Sequence, residues 1–165
     1  MKIKLITCGG TIDCENIDQN NVYSFKESYI PKMLKQSRCN ADIEIKFLMA
    51  KDSLLMNEKD REIILEECKK SKENRIILTH GTDTMVETAK TLGNGIKDKT
   101  IVLLGAMVPY NQKDSDALFN LGLGVSAVQT LPKGVYIAMN GKIFDWDNVK
   151  KNIKLKQFEA IKESN

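Results

Sequence analysis

The sequence has a single histidine, His80, so a Ser-His-Asp relay would rest on that one ring. Its four cysteines, Cys8, Cys14, Cys39 and Cys68, form no CxxC pair and show no zinc spacing, and no metal site is expected. Free thiols in a reduced, cytoplasmic protein are the expectation. No apolar run approaches the ~18 residues of a membrane span. MKIKLI runs straight into a strand without an apolar leader, so no signal peptide is expected. Charge of one sign is not in excess: 25 Lys and Arg face 22 Asp and Glu, and nothing in that balance demands nucleic acid. Lys150, Lys151, Lys154 and Lys156 form the densest basic stretch and read first as a solvated tail. Repeats, low-complexity segments and interdomain linkers are missing, and the expectation is one domain over residues 1–165.

What is present is a repeated strand-then-helix pattern. Lys2–Thr7, Ile43–Leu48, Arg75–Thr79, Thr100–Gly105 and Gly134–Met139 are short runs rich in Ile, Val and Leu, as in strands buried on both faces. Helical spacing falls between them: Phe25–Ser37, with Pro31 in its first turn or at a kink; Asn57–Lys72, with Asn57 as cap; Asp83–Leu92, with Gly93 as stop; and Asp114–Thr130. The last is apolar on most sides, so it is deeply buried or faces a partner subunit. Asn140-Gly141 reads as a turn, Asp145–Lys151 as a polar loop or hairpin, and Leu155–Glu163 as a short helix. The fold class is α/β: a three-layer sandwich with a mostly parallel, Rossmann- or flavodoxin-like sheet flanked by helices.

In such sheets ligands bind beyond the carboxyl ends of the strands, so the loops there carry the function. They are Cys8-Gly9-Gly10-Thr11, Lys51-Asp52-Ser53, Thr79-His80-Gly81-Thr82-Asp83-Thr84 and Gly105-Ala106-Met107-Val108-Pro109. Gly9 and Gly10 allow a tight turn, and Thr11 offers a hydroxyl with backbone N–H groups beside it for an oxyanion. A phosphate loop is the rival, but GGT is shorter than the P-loop pattern, lacks its lysine, and GxGxxG is absent. A threonine hydroxyl needs activation. A lysine held by Asp83 could supply it, with Thr82 as a bridge.

TCGGTI, HGTDTM and GAMVP…SDALFNL together resemble the bacterial-type L-asparaginases, the glutaminase-asparaginase family. The likeness covers the larger N-terminal domain of that family; the smaller C-terminal domain has no counterpart here. Cys8 stands where the family has its first threonine. The resemblance implies hydrolysis of L-asparagine to L-aspartate and ammonia, with L-glutamine as a second candidate substrate and no cofactor. Thr11 matches the nucleophile that forms a β-aspartyl ester. Tyr23 matches the tyrosine that closes over it, with Tyr29 as rival. Thr82 and Asp83 match the second threonine and its aspartate. Lys151 completes that set, with Lys150 as the alternative register. Ser53 matches the α-carboxylate ligand, and Gly10, Gly81 and Ala106 would line the substrate with it. A homodimer or homotetramer is implied, with neither nucleic acid nor membrane as partner.

Each residue also has an ordinary duty to weigh. Thr11 could cap a helix, Ser53 could cap the Asn57 helix, Asp83 could cap the helix it begins, and Tyr23 could be a surface aromatic. Two departures from the family matter. Full-length members complete the site with residues from a neighbour's C-terminal domain. The position after Ser53, polar in the family, is Leu54, so the α-amino group loses partners worth about 1.5–3 kcal/mol each. Weak substrate binding is the expectation. A binding module without turnover, and an amidase subunit that needs a partner, are the alternatives.

Overall fold

The apolar runs form strands because the chain covers them on both faces. In the computed structural model, which describes residues 1–20 and 22–162, β1 (Ile3–Gly9) leads into a 3-10 turn, Thr11–Asp13, and then a small hairpin of β2 (Asn16–Ile17) and β3 (Tyr23–Ser24). Next come α1 (Ile30–Gln36), β4 (Ile43–Lys51), a 3-10 turn at Ser53–Leu55, α2 (Glu58–Lys70), β5 (Arg75–Thr79), α3 (Met85–Gly95), β6 (Thr100–Leu104), α4 (Ala117–Thr130) and β7 (Gly134–Met139). The described chain closes with β8 (Lys142–Asp145), β9 (Lys150–Asn152) and β10 (Gln157–Glu159).

The main sheet has the order β4-β1-β5-β6-β7-β8. Its first five strands are parallel and β8 is antiparallel. Counting only the parallel strands, this is the flavodoxin-like order, and the direction of winding reverses between β1 and β5. Ile64 and Cys68 of α2 and Met85, Ala89 and Leu92 of α3 pack one face of the sheet. Ile30 and Met33 of α1 and Ala117, Leu121, Ala127 and Val128 of α4 pack the other. The three-layer α/β sandwich is therefore the observed architecture. Asn57 caps α2 through a capping box with Asp60, as its position predicts. Asn140 and Gly141, at φ 56° and 77°, make the tight turn from β7 to β8.

Four boundaries differ from expectation, each for a physical reason. α1 starts at Ile30 rather than Phe25, and Pro31 sits in its first turn, where a missing N–H does no harm. α3 passes through Gly93 and ends at Gly95; a Cβ on Gly93 would stand 2.2 Å from the Trp146 ring, so this glycine serves packing rather than stopping the helix. α4 starts at Ala117, because Asp114 has a positive φ of 63°. Leu155–Glu163 is not a helix. Lys156 has φ 49° and Phe158, 2% exposed, is a strand residue in the core beside α2 and α3. Glu163 lies outside the described residues.

Candidate active site

The crevice forms at the switch point, where the loops after β1 and β5 lie side by side. Gly10 has φ 79°, and a Cβ there would stand 2.3 Å from the backbone nitrogen of Gly81. Only a hydrogen side chain permits that approach, and it sets Thr11 and Thr82 one residue beyond the contact on either side. The Gly10 N–H also donates to the Lys51 carbonyl at 3.0 Å, which joins the loop after β4 to the same edge. A Cβ on Gly81 would meet Ser53 Oγ at 2.5 Å. The two glycines therefore bring Thr11, Thr82 and Ser53 from three loops to one place.

Lys151 arrives there from the end of the chain. β9 pairs antiparallel with β10, with Lys151 opposite the buried Phe158 and Lys150 opposite Glu159. Alternation along a strand turns neighbouring side chains to opposite faces. Lys150 pairs with Glu159 at 3.2 Å. Lys151 Nζ donates to Thr82 Oγ1 at 2.8 Å and to Asp83 Oδ1 at 2.7 Å. Asp83 does not cap α3, whose cap position is Thr84. A lysine that donates to Thr82 Oγ1 leaves the Thr82 proton free to point into the crevice.

The other ordinary duties are also taken by other residues. Thr11, 7% exposed, opens the 3-10 turn whose cap position is Gly10. Ser53 does not cap α2. Its Oγ is buried and has no partner among the described residues, which leaves its proton available to an acceptor. The Thr84 hydroxyl donates to the Ser53 carbonyl at 2.8 Å and holds that turn against α3. Asp52 accepts the Leu54 N–H at 3.0 Å, and Leu54 and Leu55 are 65% and 68% exposed, an apolar rim beside Ser53.

Ala106 is buried in the loop after β6. Asp116 fixes that loop by accepting the Met107 and Val108 N–H groups at 2.9 and 3.0 Å. Asn120, fully buried, donates to the Gly105 carbonyl and to Asp116 and accepts the Asn140 N–H. Both residues lie in the SDALFNL motif, yet their supporting roles carry no separate signal in the sequence.

His80 is structural. Its buried Nδ1–H donates to the Gly81 carbonyl at 2.8 Å, so Nε2 accepts from the Thr88 hydroxyl at 2.8 Å. Burial pushes its pKa down to about 4. The folded pKa lies below the unfolded value of ~6.5, so the contribution is complete above that value and is lost as pH falls toward 4. Between pH 7 and 4.5 the wild type should lose about 2–3 kcal/mol of stability through this group in urea titrations, and His80→Gln should lose that part of the slope.

Tyr23 is not joined to Thr11, Thr82 or Lys151 by any hydrogen bond among the described residues. Its ring stacks near Phe25, centroids 6.4 Å apart, and it lines a cavity of about 260 Å³ with Val22, Lys51, Asp52 and Leu55, beside the Ser53 turn. The Tyr29 hydroxyl instead donates to the Glu15 carboxylate. A larger cavity, about 620 Å³, does not coincide with the Thr82–Lys151 cluster; it lies between the segment around Phe25–Ser28 and β4. No group of His, Cys, Asp and Glu among the described residues could hold a metal ion.

A flavodoxin-like sheet with two threonines, an unpartnered serine and an Asp–Lys pair at its switch point defines an α/β protein with a hydroxyl-rich cluster at the carboxyl edge of its strands. A family model described as "Asparaginase, N-terminal" matches residues 2–165, and the chain belongs to that family. It is 41% identical over 91 residues to a glutaminase-asparaginase of Acinetobacter glutaminasificans, an alignment covering 53% of this chain and 28% of the relative. It is 36% identical over 101 residues to one chain of the glutamyl-tRNA(Gln) amidotransferase of Methanococcus vannielii, covering 60% of this chain and 24% of that one. The solved structure of the thermostable L-asparaginase of Thermococcus kodakarensis superposes with a TM-score of 0.85 at 26% identity, over 99% of this chain and 52% of that one. The chain thus spans about half of the solved L-asparaginase, and the alignments to the two curated relatives cover about a quarter of each.

Proposed function

We propose that this chain is an amidohydrolase that cleaves the side-chain amide of L-asparagine, with Thr11 as nucleophile. The observation that carries the reading is the Lys151–Thr82–Asp83 cluster, in which Lys151 meets residues 69 and 68 positions away at 2.8 and 2.7 Å. The Thr11 oxygen attacks the amide carbon, the C–N bond breaks, and the nitrogen leaves as ammonia with a proton from the Thr82–Lys151 side. Water then cleaves the ester, releasing aspartate and restoring Thr11. Tyr23 closes over Thr11 and relays its proton to water, its hydroxyl giving up one proton as it accepts another; when water cleaves the ester, the water's proton returns to the Thr82–Lys151 side and Thr11 regains its own through Tyr23. Ser53 Oγ donates to the α-carboxylate, Asp83 receives the α-amino group, and Gly10, Gly81 and Ala106 line the substrate. L-Glutamine, one methylene longer, is the poorer substrate by about 1–3 kcal/mol. The protein acts as a cytoplasmic homo-oligomer. Supporting the last point, α4 carries no charged side chain and exposes Phe119.

The amidotransferase relative favours a second reading, an amidase subunit whose ammonia passes to a partner chain. Ammonia release by the purified chain decides between them. The proposal expects turnover of L-asparagine with KM at or above ~1 mM, because Leu54 offers the α-amino group nothing. A micromolar KM would contradict the role given to Leu54. No release at high substrate would contradict the hydrolase reading and favour the partnered subunit.

A further inference from the structure

Asp13 shares the 3-10 turn with Thr11, and the chemistry above makes no use of it. It is 5% exposed and enters no ion pair among the described residues. Its carboxylate reaches across 15 positions to accept Ser28 Oγ, at 2.7 and 2.9 Å, and then the Tyr29 N–H at 2.8 Å. Residues 13 and 28–29 are the two feet of the stretch that contains the β2–β3 hairpin and Tyr23. A weaker tie runs alongside: Asn111 Nδ2 donates to the Glu15 carbonyl at 2.7 Å, and Tyr29 donates to the Glu15 carboxylate.

The cavity of about 620 Å³ lies behind the stretch, lined by Thr7, Asp13, Phe25, Ser28, Pro31 and Phe47 among others. A carboxylate desolvated without a counter-cation depends on its hydrogen bonds to offset the cost of burial, and those of Asp13 among the described residues all go to Ser28 and Tyr29. Burial raises the Asp13 pKa, and the Ser28 and Tyr29 bonds oppose that rise.

We infer that Asp13 is a positioning residue: by clasping Ser28 and Tyr29 it fixes the Tyr23-bearing hairpin against the turn that carries Thr11. The inference rests on Thr11 and Tyr23 being the catalytic pair proposed above. Asparagine can keep the clasp, its carbonyl accepting the Tyr29 N–H and its amide donating to Ser28 Oγ. Alanine cannot.

The test compares Asp13→Asn and Asp13→Ala in the full chain, well below their melting temperatures. In Asp13→Ala, kcat should fall by about 10- to 100-fold, the scale of a misplaced catalytic group. L-Aspartate binding, followed by NMR titration, should change less than about twofold, since Ser53 and Asp83 are untouched. Hydrogen exchange at residues 22–28 should speed up by about tenfold or more while β5 is unchanged. Asp13→Asn should stay within about threefold of wild type in every readout. Unchanged exchange in Asp13→Ala overturns the clasp. Faster exchange with unchanged kcat, or a lowered melting temperature alone, overturns the positioning role. A wild type that releases no ammonia sinks the catalytic reading on which that role rests, and the exchange data still decide the clasp separately.

Discussion

Thr11→Ala removes the proposed nucleophile and should lower ammonia release from L-asparagine by at least about 10³-fold. The fold should survive. Thr11 caps no helix, and the close approach that builds the crevice belongs to Gly10 and Gly81, not to the threonine side chain. Losing its hydroxyl should therefore cost at most about a few tenths of a kcal/mol, and melting should shift by no more than about a degree or two. L-Aspartate binding should persist in the variant, because the groups assigned to the α-carboxylate and α-amino group are untouched. Activity equal to wild type would mean a contaminant or another nucleophile.

The second large effect separates two adjacent lysines. Lys151→Met deletes the donor to Thr82 and the partner of Asp83 at once. In the proposed mechanism Lys151 handles a proton, a role worth about 10²–10⁴-fold, so kcat should fall by about 10²-fold or more. Stability should change by about 1 kcal/mol or less, since Asp83 remains 37% exposed in its side chain and water can replace the ammonium. Lys150→Met removes only the exposed pair with Glu159 and should leave kcat unchanged. The opposite ranking would place the alternative register in the site.

The pair also marks where sequence ceases to be informative. GGT and HGTDT are local patterns whose glycines are needed at one backbone approach, so the chain alone could point to Thr11, Thr82 and Asp83 as candidates. Choosing Lys151 over Lys150 depends on which face of β9 turns inward. That is set by pairing with β10 and by the burial of Phe158, both distant facts of packing. The same Phe158 explains why a helix was expected over Leu155–Glu163: its apolar spacing fits either period, and only the β10 ladder decides. The five parallel strands were legible because burial on both faces writes a continuous apolar run. Asp13 and Asn120 were not, because a buried polar residue is defined by partners that the sequence does not bring together.

Acid-quenching the wild-type protein during turnover of L-asparagine and mapping the modified peptide by mass spectrometry tests the central claim most directly. The account predicts one added aspartyl group, as an ester on the peptide containing Thr11, absent in Thr11→Ala and released by mild base. Sustained turnover with no such adduct, or an adduct on a peptide other than the one containing Thr11, would contradict it.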